Sequence, residues 1–456
     1  MTHQGAITRL QQQLSQVEQR LRGPMALPWP SLMRLETPMP PLNPLRWLMQ
    51  QRHPIKVFWS TRDSFQSTAA VGAADDRTLA NRTSLPSELC HMESLLVGHS
   101  AARYYGGLGF DDDRVSRWPG FPYGRFVLPL IEVNVTAEND YTLACHLLLS
   151  EPGQTGQACA ELRQGLNGLQ FHDPDRILQS RRWPMLNRHD SLSPPAWKQR
   201  VQHVLDLEAT SELKKLVLSR EVTLGLGEPI SPWQLLEVWR GQDENCFSFG
   251  LQFERSRSFL GCSPERLFYL RGHDLESEAL AGTIGRGDDS DEDTRNTARL
   301  RHDPKAIREN ELVHHYIKNR LQPLCDSLAL DPMPSVLKLR RVQHLRHRLR
   351  GHLHPRVTVA DILQALHPTP AVGGTPSSLA LHLINELEPH RRGWYSGTVG
   401  YIGARETEFA VAIRCALLHD STVRLYSGAG IVPGSEPEAE WQELESKIHT
   451  VLSLFE

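Results

Sequence analysis

The amino-acid sequence predicts a large α+β fold dominated by antiparallel strands, and two observations favour this class. Segments of strand character follow one another in runs, and helical segments are inserted between them at irregular intervals. A parallel sheet would instead alternate strands and helices regularly. No short repeat and no evident linker interrupts the chain after Cys159, so most of its 456 residues are expected to form one domain.

Composition narrows the class of protein before any motif is considered. The 50 basic and 53 acidic residues leave a net charge of −3, which gives no general attraction to nucleic acid or to an anionic membrane. No apolar run reaches the ~18 residues that span a bilayer, and the N-terminus has no apolar signal core. The seven cysteines are scattered and never spaced as CxxC, as in reduced proteins. A cytoplasmic protein without nucleic-acid or membrane partners is therefore expected.

The N-terminal region is predicted to be an amphipathic helix followed by an extended connector. Apolar residues recur at spacings of three and four, at Ile7, Leu10, Leu14, Val17 and Leu21. A helix docked on its own domain is favoured over a short coiled coil, because the pattern covers fewer than three heptads. Prolines make Gly23–Pro44 an extended segment. We therefore expect residues 1–45 to precede a main domain of residues 46–456.

The elements of the main domain follow from local patterns. A polar, helical stretch runs to about Leu213 and is expected to break at Pro194 and Pro195. Further helices are predicted at Asp303–Leu321 and Pro376–Glu386. Glycines next to aromatics in Arg103–Asp111 indicate a strand end. Strand character marks Lys56–Ser60, Phe126–Val135, Leu216–Val222, Phe247–Phe253, Arg257–Gly261, Val336–Leu345 and Val423–Ser427.

The last strand is expected to break at Gly428-Ala429-Gly430 and to lead into a helix. That helix would carry Glu440, Glu443 and Lys447 on one face, because they are three and four residues apart. Such an arrangement suits a divalent cation beside a small anion. A solvated helix with one Glu–Lys pair is the alternative.

Two residues are candidates for proton transfer. Alternation along a strand places Lys215, Val217 and Ser219 on one face. A lysine at a strand start is usually a surface residue, but one that faces an enclosed pocket is suited to act as a general base. Glu265 follows Ser-Pro at a strand end, which aims its side chain off the strand. A pair of Glu265 with Arg266 at a helix start is the alternative.

Three further segments could bind charged groups. One of them contains glycines spaced as in a phosphate loop, at Gly282, Gly285 and Gly287. No nucleotide-binding motif surrounds these glycines, so a nucleotide site is not expected. The backbone and the Thr283 hydroxyl would instead suit a small carboxylate. Glu309 together with Glu443 would offer hard oxygen ligands suited to Mg²⁺. The basic residues 338–356 lack interleaved aromatics, which favours a solvated or substrate-edge strand over a nucleic-acid site.

The order of these motifs resembles the chorismate-utilising family of anthranilate, aminodeoxychorismate, isochorismate and salicylate synthases. The resemblance is dense from about residue 213 to residue 447 and thinner before it. It is carried by Lys215–Arg220, Gly261–Leu267, Leu280–Thr283, Lys305–Asn310, Val342–Leu345, His367–Pro376, Arg392–Gly397, Glu408–Arg414, Gly428–Val432 and Glu440–Lys447.

The resemblance implies two extended, mainly antiparallel sheets around a buried site, and dependence on Mg²⁺. Lys215 matches the family's water-activating base, and Glu265 matches the acid that protonates the departing C4 hydroxyl. Glu309 and Glu443 match metal ligands, with Glu440 acting through water. Some relatives carry a further glutamate where this chain has Ala306, so its metal would hold more water.

The resemblance also assigns the substrate contacts. Tyr395 and Arg414 match residues that hold the enolpyruvyl carboxylate of chorismate. The residues that match the family's contacts with the ring carboxylate are Gly428, Ala429, Gly430 and Lys447. The remaining pocket residues are Gly282, Thr283 and His344.

Within the family, the chain looks most like bacterial isochorismate synthases of menaquinone biosynthesis. A lysine at the base position marks the members that add water, and Ala281 stands where the aminodeoxychorismate branch has lysine. The expected reaction adds water at C2 of chorismate with loss of the C4 hydroxyl. Siderophore-pathway isochorismate synthase, salicylate synthase and a non-enzymatic chorismate-binding scaffold are the alternatives. We expect a monomer or homodimer and no glutamine amidotransferase subunit.

Overall fold

The computed structural model describes residues 2–21, 28–63, 66–111, 118–171, 183–242 and 245–455. Within these ranges lie eleven α-helices and two short 3₁₀ turns, at Arg82–Ser84 and Gln322–Leu324. The helices are α1 His3–Leu21, α2 Pro44–Gln50, α3 Leu85–Leu96, α4 Thr155–Asn167, α5 Pro194–Thr210, α6 Pro232–Arg240, α7 Ser290–His302, α8 Pro304–Leu321, α9 Val359–Leu366, α10 Ser377–Leu387 and α11 Pro437–Leu452.

The same ranges hold twenty strands, and every pairing between them is antiparallel. The first ten are β1 Ser31–Pro38, β2 Lys56–Ser60, β3 Ser67–Leu79, β4 Arg103–Leu108, β5 Gly124–Val135, β6 Tyr141–Leu149, β7 Met185–Asp190, β8 Lys215–Leu226, β9 Phe247–Glu254 and β10 Arg257–Ser263. The others are β11 Arg266–Arg271, β12 Asp274–Gly285, β13 Cys325–Leu330, β14 Ser335–Lys338, β15 Val342–Leu353, β16 Gly374–Thr375, β17 Thr398–Gly403, β18 Glu406–Val411, β19 Cys415–His419 and β20 Thr422–Ile431.

The strands form one continuous hydrogen-bonded ladder, in place of the two sheets implied by the resemblance. The mixed helical and antiparallel class itself is confirmed. Near one end of the ladder lie β12 and β15, with β13 and β14 paired to the outer side of β15. Near the other end lie β20 and β8, with β7 and β16 paired to the outer side of β8. The long strand β5 joins the two arms, because it pairs with β3 on one side and with β4 and β6 on the other. A ladder this long can curve until its ends approach each other.

The region before residue 46 packs onto the main domain. Helix α1 buries Ala6, Ile7, Leu10 and Leu14, and it contacts α4 and β1. The predicted connector contains β1, which pairs with β6 over its whole length, so that part of it is a sheet strand. Residues 22–27 of the predicted connector lie outside the described residues.

Several predicted boundaries were wrong, for identifiable reasons. Pro194 occupies the first turn of α5, where proline's missing N–H costs nothing, so the prolines begin this helix instead of breaking one. Strand β7 also interrupts the stretch that was predicted to be helical. The predicted strand Val336–Leu345 is a hairpin of β14 and β15. Helix α7 was not predicted, because its Arg- and Asp-rich sequence buries little apolar surface.

Both predicted glycine turns are parts of strands. Gly428, Ala429 and Gly430 lie in β20, paired with Ser219, Leu218 and Val217 of β8. Residues 279–285 belong to β12, and the register against β15 shifts at Gly282. Gly282 has a φ of +79°, so the glycine forms a β-bulge and not a phosphate loop.

None of the helices in the described residues combines the length and apolar character required to cross a membrane.

Candidate active site

A cleft of about 680 Å³ lies where the two ends of the ladder meet. Strand β8 and strand β20 line one side of it, and β12 and β15 line the other. Helices α8 and α11 each contribute one side chain, Glu309 and Lys447. Nine residues that the sequence had singled out for the site line this cleft together with Glu309: Glu265, Gly282, Thr283, His344, Tyr395, Arg414, Gly428, Gly430 and Lys447.

Lys215 lies directly behind the wall of the cleft. Its side chain is fully buried at the start of β8, and its Nζ is 2.9 Å from Oε1 of Glu309 in an ion pair. Leu216 and Leu218 point to the opposite face of β8 and pack in the main apolar core, as the alternation predicts. Burial alone would raise the pKa of Glu309, but the charges of Lys215 and Lys305 hold that pKa below its usual value. Glu309 is therefore ionised at neutral pH.

Glu265 lies between β10 and β11 with its side chain in the cleft. Its backbone N–H donates to Oγ of Ser263 over 3.3 Å, and its carbonyl accepts from the Val411 N–H over 3.0 Å. Burial, together with the negative charge of Glu278, raises the pKa of Glu265 to about 8 despite nearby cations. A carboxyl group that keeps its proton at pH 7 can donate that proton to a leaving group.

The far side of the cleft carries groups that suit an anion. Nη2 of Arg414 is buried without a hydrogen-bond partner among the described residues. Arg414 also has a φ of +49°, a strained value for a residue with a side chain, of the kind that occurs at functional sites. The ring of Tyr395 stacks on that of Tyr426 at 5.1 Å. A buried guanidinium nitrogen with no partner is costly unless a ligand completes its hydrogen bonds.

The glycines of β20 keep space open for these groups. A Cβ atom on Gly428 would lie 2.7 Å from the hydroxyl oxygen of Tyr395. A Cβ atom on Gly430 would overlap the carboxylate of Glu309 and lie 2.9 Å from Cε of Lys215. Lys447 donates from Nζ to the Gly428 carbonyl over 2.9 Å, which ties α11 to the strand.

His344 and Thr283 form the wall opposite β20. They face each other across β15 and β12, with Oγ1 of Thr283 at 3.0 Å from Nδ1 of His344. Burial and the charges of Arg414 and Lys447 keep the pKa of His344 well below its usual value. His344 is therefore a neutral hydrogen-bonding group.

The three carboxylates predicted to hold a metal are each paired with a lysine. Glu309 pairs with Lys215, and Glu443 pairs with Lys447 at 2.6 Å. Glu440 is buried and forms an ion pair with Lys305. Among the described residues, no group of three or more acidic, histidine or cysteine side chains is gathered closely enough to form a metal site by itself.

The structure does not bring every predicted residue to the cleft. The side chain of Ala429 points to the opposite face of β20 and packs in the main core, because side chains alternate along a strand. Only its backbone is available for a substrate. Glu440 and Glu443 lie on α11 beside the cleft and are not among the residues that line it.

Other lining residues were not assigned from the sequence. Alternation along β20 places Tyr426 on the face of Gly428 and Gly430, and this signal was available. Leu280 and Ile413, like Ala371 and Val372, lie in motifs that carry the family resemblance, but no role in the site was assigned to them from the sequence. The lining residues that were given no role in the site from the sequence are Val217, Pro264, Leu280, Ala281, Ala371, Val372, Ile413, Tyr426 and Ser427.

Comparison with known proteins agrees with this geometry. Residues 19–456 match the protein family described as chorismate binding enzyme. Isochorismate synthase MenF of Haemophilus influenzae is 30% identical over 454 residues, which cover 99% of this chain and 98% of that protein. MenF of Escherichia coli strain K12 is 40% identical over 252 residues, covering 55% of this chain and 58% of the relative.

Solved structures support the same relationship. The menaquinone-specific isochorismate synthase MenF from Escherichia coli superposes with a TM-score of 0.85 and 29% identity, covering 99% of this chain and 100% of that structure. Anthranilate synthase component I from Streptococcus pneumoniae, at 20% identity and a TM-score of 0.69, covers 94% of this chain and 93% of that structure and shares the fold. The chain therefore belongs to the chorismate binding enzyme family.

Proposed function

We propose that this chain is an isochorismate synthase, an isomerase that interconverts chorismate and isochorismate. The observation that carries the proposal is the buried Glu265, which keeps its proton at neutral pH and shares a cleft with Glu309, the ion-pair partner of Lys215. The relatives named isochorismate synthase MenF support the assignment, and one of them aligns over nearly the whole chain. Menaquinone biosynthesis is the pathway that we expect the product to feed.

The reaction requires a base and an acid on opposite sides of the ring. Lys215 would take a proton from water as the water oxygen bonds to C2. The ring double bonds shift, and the bond between C4 and its hydroxyl breaks. Glu265 gives its proton to that hydroxyl, which leaves as water. One water is added and one is lost, so the product is an isomer of the substrate.

Substrate binding uses the charges of the cleft. Chorismate has two carboxylates, and the unpartnered Nη2 of Arg414 together with the Tyr395 hydroxyl would receive the enolpyruvyl one. Lys447 and the backbone of Gly428, Ala429 and Gly430 would receive the ring carboxylate. Thr283, His344 and the bulge at Gly282 would complete the wall against the ring.

Mg²⁺ is the proposed cofactor, because the carboxylates in and beside the cleft are donors of the kind that this ion prefers. Glu309 and Glu443 offer hard carboxylate oxygens, with Glu440 reaching the ion through water. Burial and the charge of Glu443 raise the pKa of Glu440, an indication that these carboxylates lie close together. The bound ion would neutralise the ring carboxylate as electrons shift through the ring.

We expect Glu443→Ala to weaken Mg²⁺ binding in a calorimetric titration by about tenfold or more, and an unchanged titration would contradict this ligand role.

The remaining expectations concern the setting of the enzyme. A reducing cytoplasm is the expected setting, because the seven cysteines are scattered along the sequence and never spaced as CxxC. A monomer or homodimer that acts without a glutamine amidotransferase subunit remains our expectation.

Product identification tests the proposed function. The purified chain is incubated with chorismate and Mg²⁺, with and without ammonia, and the products are separated and weighed by mass spectrometry. We expect isochorismate in both conditions, and we expect Lys215→Ala to abolish it. Salicylate with pyruvate would identify a salicylate synthase, an aminated product would identify another branch, and no product at all would indicate a binding scaffold.

A further inference from the structure

An ion pair lies directly behind Glu265. Arg62 follows β2, and its guanidinium meets the carboxylate of Glu278 on β12 through two hydrogen bonds, of 2.6 and 3.0 Å. Both side chains are almost fully buried, at 3% and 2% exposure. A two-bond pair of this kind fixes both partners in orientation as well as in distance.

The same pair holds the peptide groups on both sides of Glu265. Nη1 of Arg62 donates to the carbonyl of Pro264 over 2.5 Å. The backbone N–H of Arg266 donates to Oε1 of Glu278 over 2.9 Å. Residues 264 and 266 are therefore each tied to one member of the pair, and the residue between them is held from both sides.

The Arg62–Glu278 pair also separates the active-site cleft from a second, outer cleft. Arg62 and Glu278 line an outer cleft of about 640 Å³ that has Arg348 and Arg350 on its rim. Glu265 and Pro264 line the active-site cleft instead. The pair therefore stands between the acid and the outer cleft.

We infer that Arg62 and Glu278 are positioning residues that aim the Glu265 side chain at the substrate and shield it from the outer cleft. This inference rests on the acid role of Glu265 in the proposed function. Neither residue needs to touch the substrate, because both act through the backbone and the charge environment of Glu265. Removing such a support shifts the acid slightly, and displacements of about 1 Å can cost about 100-fold in rate.

The charge of Glu278 also influences the protonation of Glu265. The groups that act on Glu265 are Glu278 on β12, Lys215 on β8, Lys447 on α11 and Arg62 after β2, and only Glu278 favours the protonated form. Glu309, His344 and Arg414 line the same cleft. Without the Glu278 charge, Glu265 would lose its proton at lower pH.

Two variants distinguish the effect of the pair on the orientation of Glu265 from its effect on the pKa of Glu265. Arg62→Lys keeps the positive charge, but a single ammonium cannot serve Pro264 and both oxygens of Glu278 at once. We expect kcat/KM to fall about 10- to 100-fold, with its decline at high pH unmoved. Glu278→Gln keeps an acceptor for the Arg266 N–H and removes the charge. Here we expect the decline at high pH to begin about one pH unit lower.

Glu132→Gln is the matched control. Glu132 is a buried carboxylate on β5 that is paired with Arg34, and it is not among the residues that line the active-site cleft. Glu132→Gln should lower the melting temperature, because it breaks a buried ion pair. It should leave the pH dependence of kcat/KM unchanged. If Arg62→Lys and Glu278→Gln behave like this control, the pair is only structural and the inference is wrong.

An infrared titration separates this inference from the proposed function. The carbonyl band of protonated Glu265 is identified as the band lost in Glu265→Gln, and its intensity is followed against pH. We expect its midpoint to be lower in Glu278→Gln than in the unaltered protein. An unmoved midpoint would overturn the inference even if isochorismate is formed. A chain that forms no isochorismate would overturn the proposed function without affecting this titration.

Discussion

Glu265 and Glu309 are two glutamates in one cleft whose surroundings move their pKa values in opposite directions. Burial and the charge of Glu278 raise the pKa of Glu265, whereas Lys215 and Lys305 outweigh burial and lower that of Glu309. At neutral pH one carboxyl group therefore holds a proton and the other is a permanent anion. Such a difference between neighbouring groups would let one residue type serve as an acid at one position and as a ligand at another.

The pH dependence of turnover follows from this difference. Glu265 can act as an acid only while protonated, and its pKa is about 8. We expect kcat/KM for chorismate to fall about tenfold per pH unit above that value. Glu265→Gln should lose about 10²- to 10⁴-fold in kcat while chorismate still binds. Steady-state assays from pH 6 to 10 measure both effects, and a flat profile to pH 10 would reject the acid role.

Stability should respond to pH through the same group. The folded chain holds the Glu265 proton up to about pH 8, whereas the unfolded chain releases it near 4.5. Between these values the folded state binds more protons, so the free energy of unfolding decreases as pH rises. Glutamine cannot lose a proton, so the melting temperature of Glu265→Gln relative to wild type should rise by about 2–4 °C from pH 5 to pH 9.

A matched substitution checks this interpretation. Glu138 is exposed in the turn between β5 and β6, so Glu138→Gln should show no such trend. Parallel melting curves for both variants across pH 5 to 9 would show whether burial is the cause. Equal behaviour of the two variants would contradict the elevated pKa of Glu265.

The direction of a site side chain could be predicted from the sequence where neighbouring residues determine it. Strand alternation gave the direction of Lys215, and Ser-Pro gave that of Glu265. Arg62 could not be found in this way, because it meets Glu278 across 216 positions of sequence. The ion pair of Glu309 with Lys215 was missed for the same reason: charge pairs between distant elements depend on the whole fold.

At the scale of elements, β20 shows how glycine can be misread. The Gly428-Ala429-Gly430 stretch predicted a break, yet the strand continues to Ile431 in register with β8. The glycines lack side chains because the Glu309 carboxylate, the Lys215 side chain and the Tyr395 hydroxyl occupy that space. Local propensity cannot distinguish a flexible glycine from one that makes room for a neighbour.

Gly430→Ala tests this role of the strand. The added methyl group would overlap the Glu309 carboxylate and press on Lys215, so we expect kcat/KM to fall at least about tenfold. Gly285→Ala is the control, because nothing lies within 4 Å of its added methyl group on β12. Kinetic assays at saturating Mg²⁺ measure both, and equal rates for the two variants would show that β20 tolerates a side chain there.

At the scale of the whole molecule, the site exists because the two ends of one ladder meet. Val217 of β8 and residues 426–428 and 430 of β20 come from one end, and residues 280–283 and 344 come from the other. The sequence predicted the antiparallel class and the order of motifs, since both follow from local pattern. It could not predict the single ladder or its closure, which depend on pairings such as β12 with β15 and β8 with β20.

Whether the N-terminal helix α1 is a structural part of the domain can be tested by substitution. Leu10 on α1 is fully buried in the core shared with α4, so Leu10→Ala should lower the free energy of unfolding by about 2–5 kcal/mol. The cleft receives no side chain from α1, so kcat should be unchanged at temperatures where the variant stays folded. The exposed Gln12 is the control, and Gln12→Ala should have little effect. Denaturant titration measures the stabilities, and a stable Leu10→Ala variant would indicate that α1 is an association element instead of a docked part of the domain.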